Sequence, residues 1–317
     1  MKRKLIFLIR TLLLILVIMI ALLFCYNIIK TNIEEKKYPA PGKLVSVDGK
    51  KMHVFETGSG NATILLMAGL GTTAPVLDFE PLITQLSADY KVVVVEPFGY
   101  GWSDLTNKER SVDNIIHELR SALSKAGIDG PFILMPHSVS GIYATYYANQ
   151  YPDEVTAIIG IDPTLPKALS YYKETLPSIP SFVKLLAPSG IARIAISLSP
   201  ESLISDNELN VYSKDNLAQQ KALSAKVAYN KTVLNESKEL EKNINDTQDI
   251  LFPTDLPVLI FDSNPEGEKV SSKFYNTYLA NLKNQSVIYM EGHHYLHWTK
   301  AAEIADCTNN FLSTLKQ

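Results

Sequence analysis

The amino-acid sequence predicts an α/β protein, with a mainly parallel central sheet, helices on both of its faces and a helical cap inserted into it. One membrane-spanning helix is expected ahead of this domain. Three features predict this fold: an apolar, charge-free run near the N-terminus, short apolar strands separated by helical stretches, and one interval between strands too long for a crossover. Hydrophobic residues make up 46% of the 317 positions, enough to fill a large core.

The charge-free run covers residues 11–29. As a helix it would extend about 28 Å, which is close to the thickness of a bilayer core. A cleaved signal peptide is the alternative, but its apolar region is usually shorter and ends in small residues, whereas this run ends with bulky side chains such as Phe24 and Tyr26. The sequence therefore predicts an uncleaved membrane anchor at residues 1–30 and a linker at residues 31–42.

The distribution of charge predicts both the orientation of the anchor and the class of partner. Four cations precede the apolar run, whereas lysines and acids are mixed after it, so the N-terminus is expected in the cytoplasm and the remainder outside the cell membrane. Without the five cations of the first thirty residues, 25 basic and 33 acidic residues remain, a net charge of −8. Such a body repels phosphate backbones, so no nucleic-acid partner is expected. The sequence does not determine the oligomeric state.

Residues 43–317 have the pattern of one α/β domain. An Asp-Gly turn between two alternating runs at residues 45–55 predicts an antiparallel hairpin. Continuous apolar runs predict buried strands, and helical stretches such as 111–126 and 139–151 separate most of them. The strands are expected at residues 63–67, 92–95, 132–135, 157–161, 258–261 and 286–289. The long interval between the fourth and fifth of these runs predicts the cap, at about residues 163–250, covering the sheet.

Ser138 lies directly after one of these strands and before a helix. A serine at such a turn holds its hydroxyl above the sheet edge, and the free N–H groups of the new helix point at the oxyanion that an attack would create. The segment resembles the nucleophile elbow of the α/β-hydrolase family, G-x-S-x-G, with Pro136 and Ser140 in place of the two glycines.

Two further segments resemble loops of the same family, and they occur in the family's order. Residues 65–71 end a strand in Ala-Gly-Leu-Gly and are similar to the H-G-x-G oxyanion loop. This resemblance implies that the backbone N–H groups of Leu70 and Val139 form the oxyanion hole. Residues 96–104 are similar to the D-x-x-G-x-G-x-S loop, with Glu96 in place of aspartate, and we interpret them as structural.

Residues 292–298 near the C-terminus resemble the family's G-H-x-x-H segment, and the resemblance implies that His294 is the catalytic base, with His293 as the alternative. The imidazole of such a base needs a carboxylate to fix its tautomer. Three acids compete for this role. Glu266 is favoured by its position after the strand at 258–261, and Asp162 and Asp262 are the alternatives.

The resemblance implies a serine hydrolase that attacks a carbonyl group through Ser138 and passes through an acyl-enzyme. Epoxide hydrolases and dehalogenases of the family carry aspartate at the elbow, so carboxylic esters are the expected substrates. An aminopeptidase-like amide hydrolase and a non-catalytic binding protein remain the alternatives. No cofactor is expected, and no metal, because the clustered histidines lack a further ligand at a suitable spacing.

Overall fold

A single twisted sheet forms the centre of the protein in the computed structural model, which describes residues 2–176, 179–199, 204–205, 207 and 209–315. Eight strands of the described residues pair in the order β1-β2-β4-β3-β5-β6-β7-β8. They are β1 (Lys43–Val47), β2 (Lys50–Thr57), β3 (Thr63–Met67), β4 (Lys91–Glu96), β5 (Phe132–Pro136), β6 (Val155–Ile161), β7 (Val258–Asp262) and β8 (Gln285–Tyr289). The pairs β1–β2 and β2–β4 are antiparallel and the others are parallel. The predicted hairpin and the six predicted strands are confirmed.

Helices cover both faces of the sheet because its central strands carry apolar side chains on both sides. Outside the interval between β6 and β7, the helices are α1 (Lys2–Lys37), α2 (Pro75–Asp78), α3 (Glu80–Leu86), α4 (Val112–Ala126), α5 (Ser140–Gln150), α11 (Glu268–Leu279), α12 (Leu296–Thr299) and α13 (Ala301–Thr314). One face packs against α4, α5 and α11, and the other against α3, α12 and α13. The prediction of a mainly parallel sheet between two helical layers is confirmed.

The interval between β6 and β7 is helical, as predicted. Its described residues form α6 (Ala168–Tyr172), a 3₁₀ turn (Ser181–Leu185), α7 (Leu186–Ser189), α8 (Ile191–Leu198), α9 (Lys214–Val227) and α10 (Lys231–Thr247). We call this interval, residues 163–250, the cap. It follows the carboxyl end of β6, so it stands at the edge of the sheet where the catalytic loops of such folds gather.

Helix α10 is fixed to the core by three buried polar side chains, Thr232, Glu236 and Asn243. The carboxylate of Glu236 accepts hydrogen bonds from the hydroxyls of Tyr100 (2.8 Å) and Tyr143 (3.0 Å). Burial raises the pKa of Glu236. Thr232 and Asn243 bond to backbone groups within residues 106–112. This end of the cap is therefore joined to the sheet layer by internal hydrogen bonds rather than by apolar contact alone.

Helix α1 is long and apolar enough to cross a membrane, and most of its large apolar side chains are exposed. It does not end at residue 30, where the linker was expected to begin, but continues to Lys37. The reason is a set of polar contacts with the cap: Arg193 of α8 donates to Glu34 (2.8 Å) and Thr31 (3.2 Å), and Lys226 pairs with Glu35 (2.8 Å). Only residues 38–42 remain to connect the helix to β1.

Candidate active site

Ser138 occupies the turn between β5 and α5, with a φ of +54°. A positive φ is unfavourable for a residue with a side chain, so the surrounding structure has to hold it. Its N–H donates to the carbonyl of Ile161 (3.3 Å), and its own carbonyl accepts from the N–H groups of Gly141 (2.9 Å) and Thr164 (2.8 Å). The backbone at Ser138 is thus fixed by β6, by α5 and by the first residues of the cap.

One of the two non-glycine positions of the elbow, Ser140, has a structural explanation. Pro136 is the last residue of β5, and the Ser140 hydroxyl donates to the carbonyl of Ala68 (2.5 Å), which ties the elbow to the loop after β3. The close approach that demands glycine lies one residue further on. A Cβ at Gly141 would lie only 2.6 Å from the carbonyl oxygen of Thr164. The requirement for a minimal side chain is therefore met at Gly141.

The loop after β3 brings a second backbone segment against the serine. A Cβ at Gly69 would lie 2.9 Å from the Cβ of Ser138, so the chain passes the nucleophile candidate at minimal distance. Leu70, the next residue, and Val139 both line the cleft that contains Ser138. Among the described residues, no acceptor takes the N–H of Leu70 or of Val139. Both predicted donors are thus present at the cleft with their N–H groups available.

His294 lies in the loop between β8 and α12, and its partner is Asp162. The Nδ1 atom of His294 is 2.6 Å from Oδ2 of Asp162, which follows β6 directly. Asp162 is in turn held by Ser263, whose N–H and hydroxyl donate to its two carboxylate oxygens at 3.2 and 2.8 Å. This arrangement fixes the ring orientation of His294 and leaves its Nε2 atom as the nitrogen for proton exchange.

The expected contact between Glu266 and His294 is not found, and this corrects the sequence-based choice. Glu266 is exposed on a 3₁₀ turn (Pro265–Gly267), where the chain already leads into α11. The third candidate, Asp262, is buried, which raises its pKa, and its Oδ1 accepts from the N–H of Asn264 (2.7 Å). Because β6 and β7 are neighbours, acids after either strand reach the same edge of the sheet, and only the loop geometry selects between them.

His293, the alternative base, contacts the residues that follow it in the same loop. Its Nδ1 accepts a hydrogen bond from the N–H of Tyr295 (3.0 Å), and its ring lies 5.3 Å from that of Trp298. It therefore braces the loop that carries His294.

A cleft of about 690 Å³ lies between the sheet edge and the cap and contains Ser138, Asp162 and His294. Its walls are mainly apolar. Cap residues form one side, namely Leu169, Tyr172, Leu176, Leu240 and Ile244, and residues of α11, among them Phe274, form another. A cleft of this size and lining suits an apolar acyl or alkyl group.

A second aspartate–histidine pair, which sequence reasoning missed, lies nearby. Nε2 of His297 is 2.7 Å from Oδ2 of Asp78, and the other oxygen of Asp78 accepts from Trp298 Nε1 and from Ser205 of the cap, both at 2.9 Å. All of these groups are buried or half-buried. The only signal in the sequence was an acid within the otherwise apolar segment Pro75–Asp78.

His137 is buried between the rings of His294 and His297, at centroid distances of 4.7 and 4.8 Å. Burial lowers the pKa of His137 well below its usual value, so the ring is neutral. Its Nε2 lies 3.1 Å from the carbonyl oxygen of His294 and donates to it. His137 thus supports the backbone of the loop that carries His294.

Glu96, interpreted from the sequence as structural, is fully buried at the end of β4. Its carboxylate accepts from the N–H groups of Val76 (3.2 Å) and Trp102 (2.9 Å) and lies 2.9 Å from Nδ1 of His53. The bond from Val76 holds α2, and with it the end of the loop after β3, while the other two join Glu96 to β2 and to the loop after β4. Within the part of the chain that the structure describes, no group of His, Cys, Asp and Glu side chains is arranged to hold a metal ion.

Comparison with known proteins places this geometry in a family. The family model for the alpha/beta hydrolase fold matches residues 62–301. The uncharacterized protein YbdG of Bacillus subtilis is 30% identical over 309 residues, which cover 92% of each chain. The 2-(acetamidomethylene)succinate hydrolase of Mesorhizobium japonicum is 29% identical over 111 residues, 35% of this chain and 38% of that protein.

Among solved structures, the epoxide hydrolase VrEH1 of Vigna radiata superimposes with a TM-score of 0.65 at 18% identity, covering 86% of this chain and 97% of the other. At this identity the likeness shows the fold alone, and the elbow residue here is Ser138. The family model covers more than half of this chain, and the Bacillus subtilis relative is matched over 92% of it. The chain belongs to the alpha/beta hydrolase family.

Proposed function

We propose that this hydrolase is a membrane-anchored serine hydrolase that cleaves carboxylic esters through an acyl-enzyme on Ser138. One observation carries the proposal: a serine held at a strained strand-to-helix turn shares a cleft with a histidine whose Nδ1 is fixed by Asp162 at 2.6 Å. We assign Ser138 as nucleophile, His294 as base and Asp162, rather than Glu266, as the orienting acid.

In the first step, Ser138 Oγ attacks the carbonyl carbon of the ester while its proton passes to Nε2 of His294. The negative charge that develops on the carbonyl oxygen is stabilised by the N–H groups of Leu70 and Val139. When the tetrahedral intermediate collapses, the C–O bond to the alcohol breaks and the alcohol takes the proton from His294. Water, activated by the same histidine, then attacks the acyl-enzyme and releases the acid and Ser138.

The substrate class follows from the nucleophile and the cleft. A serine nucleophile forms an ester intermediate that water hydrolyses, which suits ester or amide substrates rather than epoxides. The apolar walls contributed by Leu169, Leu240, Ile244 and Phe274 favour an acyl chain over a polar group.

Membrane anchoring is the second part of the proposal. Helix α1 has the length and the exposed apolar surface of a transmembrane segment, and Lys2, Arg3, Lys4 and Arg10 precede its charge-free run. The N-terminus is therefore assigned to the cytoplasm and the hydrolase domain to the outer side of the cell membrane. Protease added to intact cells should digest the domain and spare the N-terminus; recovery of the domain in the soluble cytosolic fraction would overturn this part.

The test of the chemistry is labelling with a fluorophosphonate, followed by assay on a panel of esters. Ser138→Ala should abolish labelling and lower kcat by about 10⁴ to 10⁶ while thermal unfolding stays unchanged. Ser124→Ala, an exposed serine on α4, is the matched control and should label normally. Retention of more than about a tenth of the activity in Ser138→Ala, or loss of labelling in Ser140→Ala alone, would show that the nucleophile is assigned wrongly.

Aminopeptidase-like amide hydrolysis is the second candidate, and Glu174 favours it. This cap carboxylate lines the cleft with Asp162 and could pair with the free amine of a peptide. Peptide amides with a free N-terminus, added to the ester panel, distinguish the two. A higher kcat/KM for these amides than for every ester, lost in Glu174→Gln, would replace the ester assignment.

A further inference from the structure

The cap contains a sharp corner with a large apolar surface. The segments Ser181–Ser189 and Ile191–Leu198 meet at 86° and together have the length and hydropathy of a membrane-embedded segment. Five large apolar side chains on this corner are between 47% and 82% exposed: Phe182, Leu185, Ile191, Ile194 and Leu198. We call these five residues the corner patch. Several large apolar side chains exposed on one short stretch of chain indicate a contact with another apolar phase.

Helix α8 is apolar on two opposite sides. Ala192 and Ile196 are buried against the cap, whereas Ile191, Ile194 and Leu198, at i, i+3 and i+7, form the outer side. A helix that only covered a soluble cap would carry polar residues on its outer side. The outer side of α8 is therefore expected to contact an apolar environment outside the protein.

The corner packs beside the apolar part of α1. This contact fixes the position of the corner along the axis of α1. Gly190, between α7 and α8, packs so closely on α1 that a Cβ there would lie 3.0 Å from Asn27 Cβ and 3.2 Å from Leu23 Cγ. Leu23 is six residues before Ile29, the last residue of the charge-free run, which corresponds to about 9 Å along the helix. Interfacial helices lie at a similar depth, about 5 to 10 Å into the boundary between headgroups and acyl chains.

Arg193 and the carbonyl groups at the end of α7 are paired inward, towards α1. The amide of Asn27 donates to the carbonyls of Ala187 (3.0 Å) and Pro188 (3.3 Å), which stand at the end of α7. The guanidinium of Arg193 donates to Asn27 Oδ1 (3.1 Å) and pairs with Glu34 (2.8 Å). Backbone and charged groups near lipid need partners within the protein because the hydrocarbon offers none. These contacts supply such partners and leave the corner patch facing outward.

We propose that the corner patch is embedded in the leaflet on the domain's side of the bilayer that α1 spans, so that the cap has its own contact with lipid. The proposal rests on the anchoring part of the proposed function and is independent of the hydrolase chemistry. Lipid is the expected partner of the corner patch because the patch adjoins the transmembrane segment. The Gly190–Leu23 contact also fixes the depth of the patch.

The test uses the full-length protein in vesicles of phosphatidylcholine and phosphatidylglycerol. Cys25→Ala and Cys307→Ala remove the two native thiols, and a single cysteine is introduced as Leu198→Cys or, for the control, Leu251→Cys, each labelled with a polarity-sensitive fluorophore. Leu251 is also an exposed leucine, but it lies ahead of the amino end of β7, whereas α8 belongs to the segment that follows the carboxyl end of β6. Quenching is measured with iodide in water and with lipids that carry a nitroxide high on the acyl chain.

The proposal predicts that the fluorophore at position 198 is quenched by the nitroxide lipid and shielded from iodide, with the opposite result at position 251. Equal iodide quenching at both positions, in protein that floats with the vesicles, would overturn it while leaving the anchor intact. Failure to float would overturn the anchor and the proposal together. Fluorophosphonate labelling reports separately on the hydrolase assignment. Both substituted leucines are exposed, so each variant should unfold at the same temperature as the wild-type protein, which verifies its fold. A fluorophore at Ile194→Cys should give the same quenching result as the one at position 198.

Discussion

Two aspartate–histidine pairs lie close together in this protein. One belongs to the candidate active site, and the other has only structural contacts. In both, a carboxylate oxygen lies within 2.7 Å of a ring nitrogen. The His294 side chain, however, is 43% exposed and borders the cleft with Ser138, whereas that of His297 is fully buried. Asp78 bonds in addition to α12 and to the cap. A hydrogen-bonded pair is therefore no sign of catalysis unless a substrate can reach it.

The two histidines also differ at the ring nitrogen that does not contact the aspartate, which is Nδ1 in His297 and Nε2 in His294. Among the described residues, Nδ1 of His297 is buried without a hydrogen-bond partner, so it can exchange no proton with a substrate. Nε2 of His294 belongs to a residue at the cleft. The pair His53–Glu96 is also fully buried and, like His297–Asp78, out of reach of a substrate.

Among the substitutions that test this comparison, Asp162→Asn should produce the largest effect. Without the carboxylate, His294 no longer holds the tautomer that accepts the serine proton, and kcat should fall by about 10⁴ with little change in KM. Steady-state kinetics on an ester, together with circular dichroism to verify the fold, provide the measurement. A mild loss of kcat would show that the His294–Asp162 pair is not catalytic. The contrast with the buried His297–Asp78 pair would then not hold.

Asp78→Ala should instead lower stability. It leaves His297, Trp298 and Ser205 without their buried acceptor, which typically costs on the order of 3–5 kcal/mol of unfolding free energy. Thermal unfolding in detergent measures the loss, and the protein that stays folded should still react with the fluorophosphonate. Asp255→Ala, which breaks only an exposed ion pair with Lys283, is the control and should change stability by less than about 1 kcal/mol. Normal stability but abolished labelling in Asp78→Ala would make the second pair catalytic.

His137 predicts a pH dependence of stability. Burial holds its pKa well below the usual value, so the native ring stays neutral while the unfolded ring takes up a proton below about pH 6.5. The stabilising contribution is complete above that pH and declines as pH falls, by about 1.4 kcal/mol per pH unit. Wild-type protein should therefore lose more thermal stability between about pH 7 and pH 5 than His137→Gln. If the thermal stabilities of wild-type protein and His137→Gln fell equally between these pH values, the His137 ring would not be neutral and buried in the native protein.

Glu266→Gln should have the smallest effect. Its carboxylate is exposed on the turn before α11, so kcat should remain within about a factor of two and stability within about 0.5 kcal/mol. The same kinetic assay as for Asp162→Asn serves here. A severe loss of kcat in Glu266→Gln would restore it as the acid and imply that the loop after β7 moves on substrate binding.

The strands and the elbow could be predicted from the sequence because they depend on local patterns. Continuous runs of Val, Ile and Leu can only be buried on both faces, and a serine between such a strand and a helix has one characteristic geometry. Residues 292–298 were identified by their resemblance to the family's G-H-x-x-H segment, and the role of His294 as base stays a prediction.

The acid and the second pair could not be predicted because they depend on tertiary contacts. Asp162 and Glu266 both follow strands that end at the same edge, and only the contact of Ser263 with Asp162 and the turn at Glu266 separate them. Asp78 and His297 lie 219 positions apart in the chain, and nothing in either segment indicates the other. The end of α1 was missed similarly, since Arg193 lies far from Glu34 in sequence.

The attachment of α10 to the core limits which part of the cap can be exchanged between hydrolases. Removing Glu236 with the rest of the cap would leave the hydroxyls of Tyr100 and Tyr143 buried without their shared acceptor. Removal of Asn243 would expose backbone groups at residues 110 and 112. A chimera intended to alter substrate choice should therefore retain residues 230–247, even though Leu240 and Ile244 of this segment line the cleft, and should vary the cap at other lining positions such as Leu169 and Tyr172.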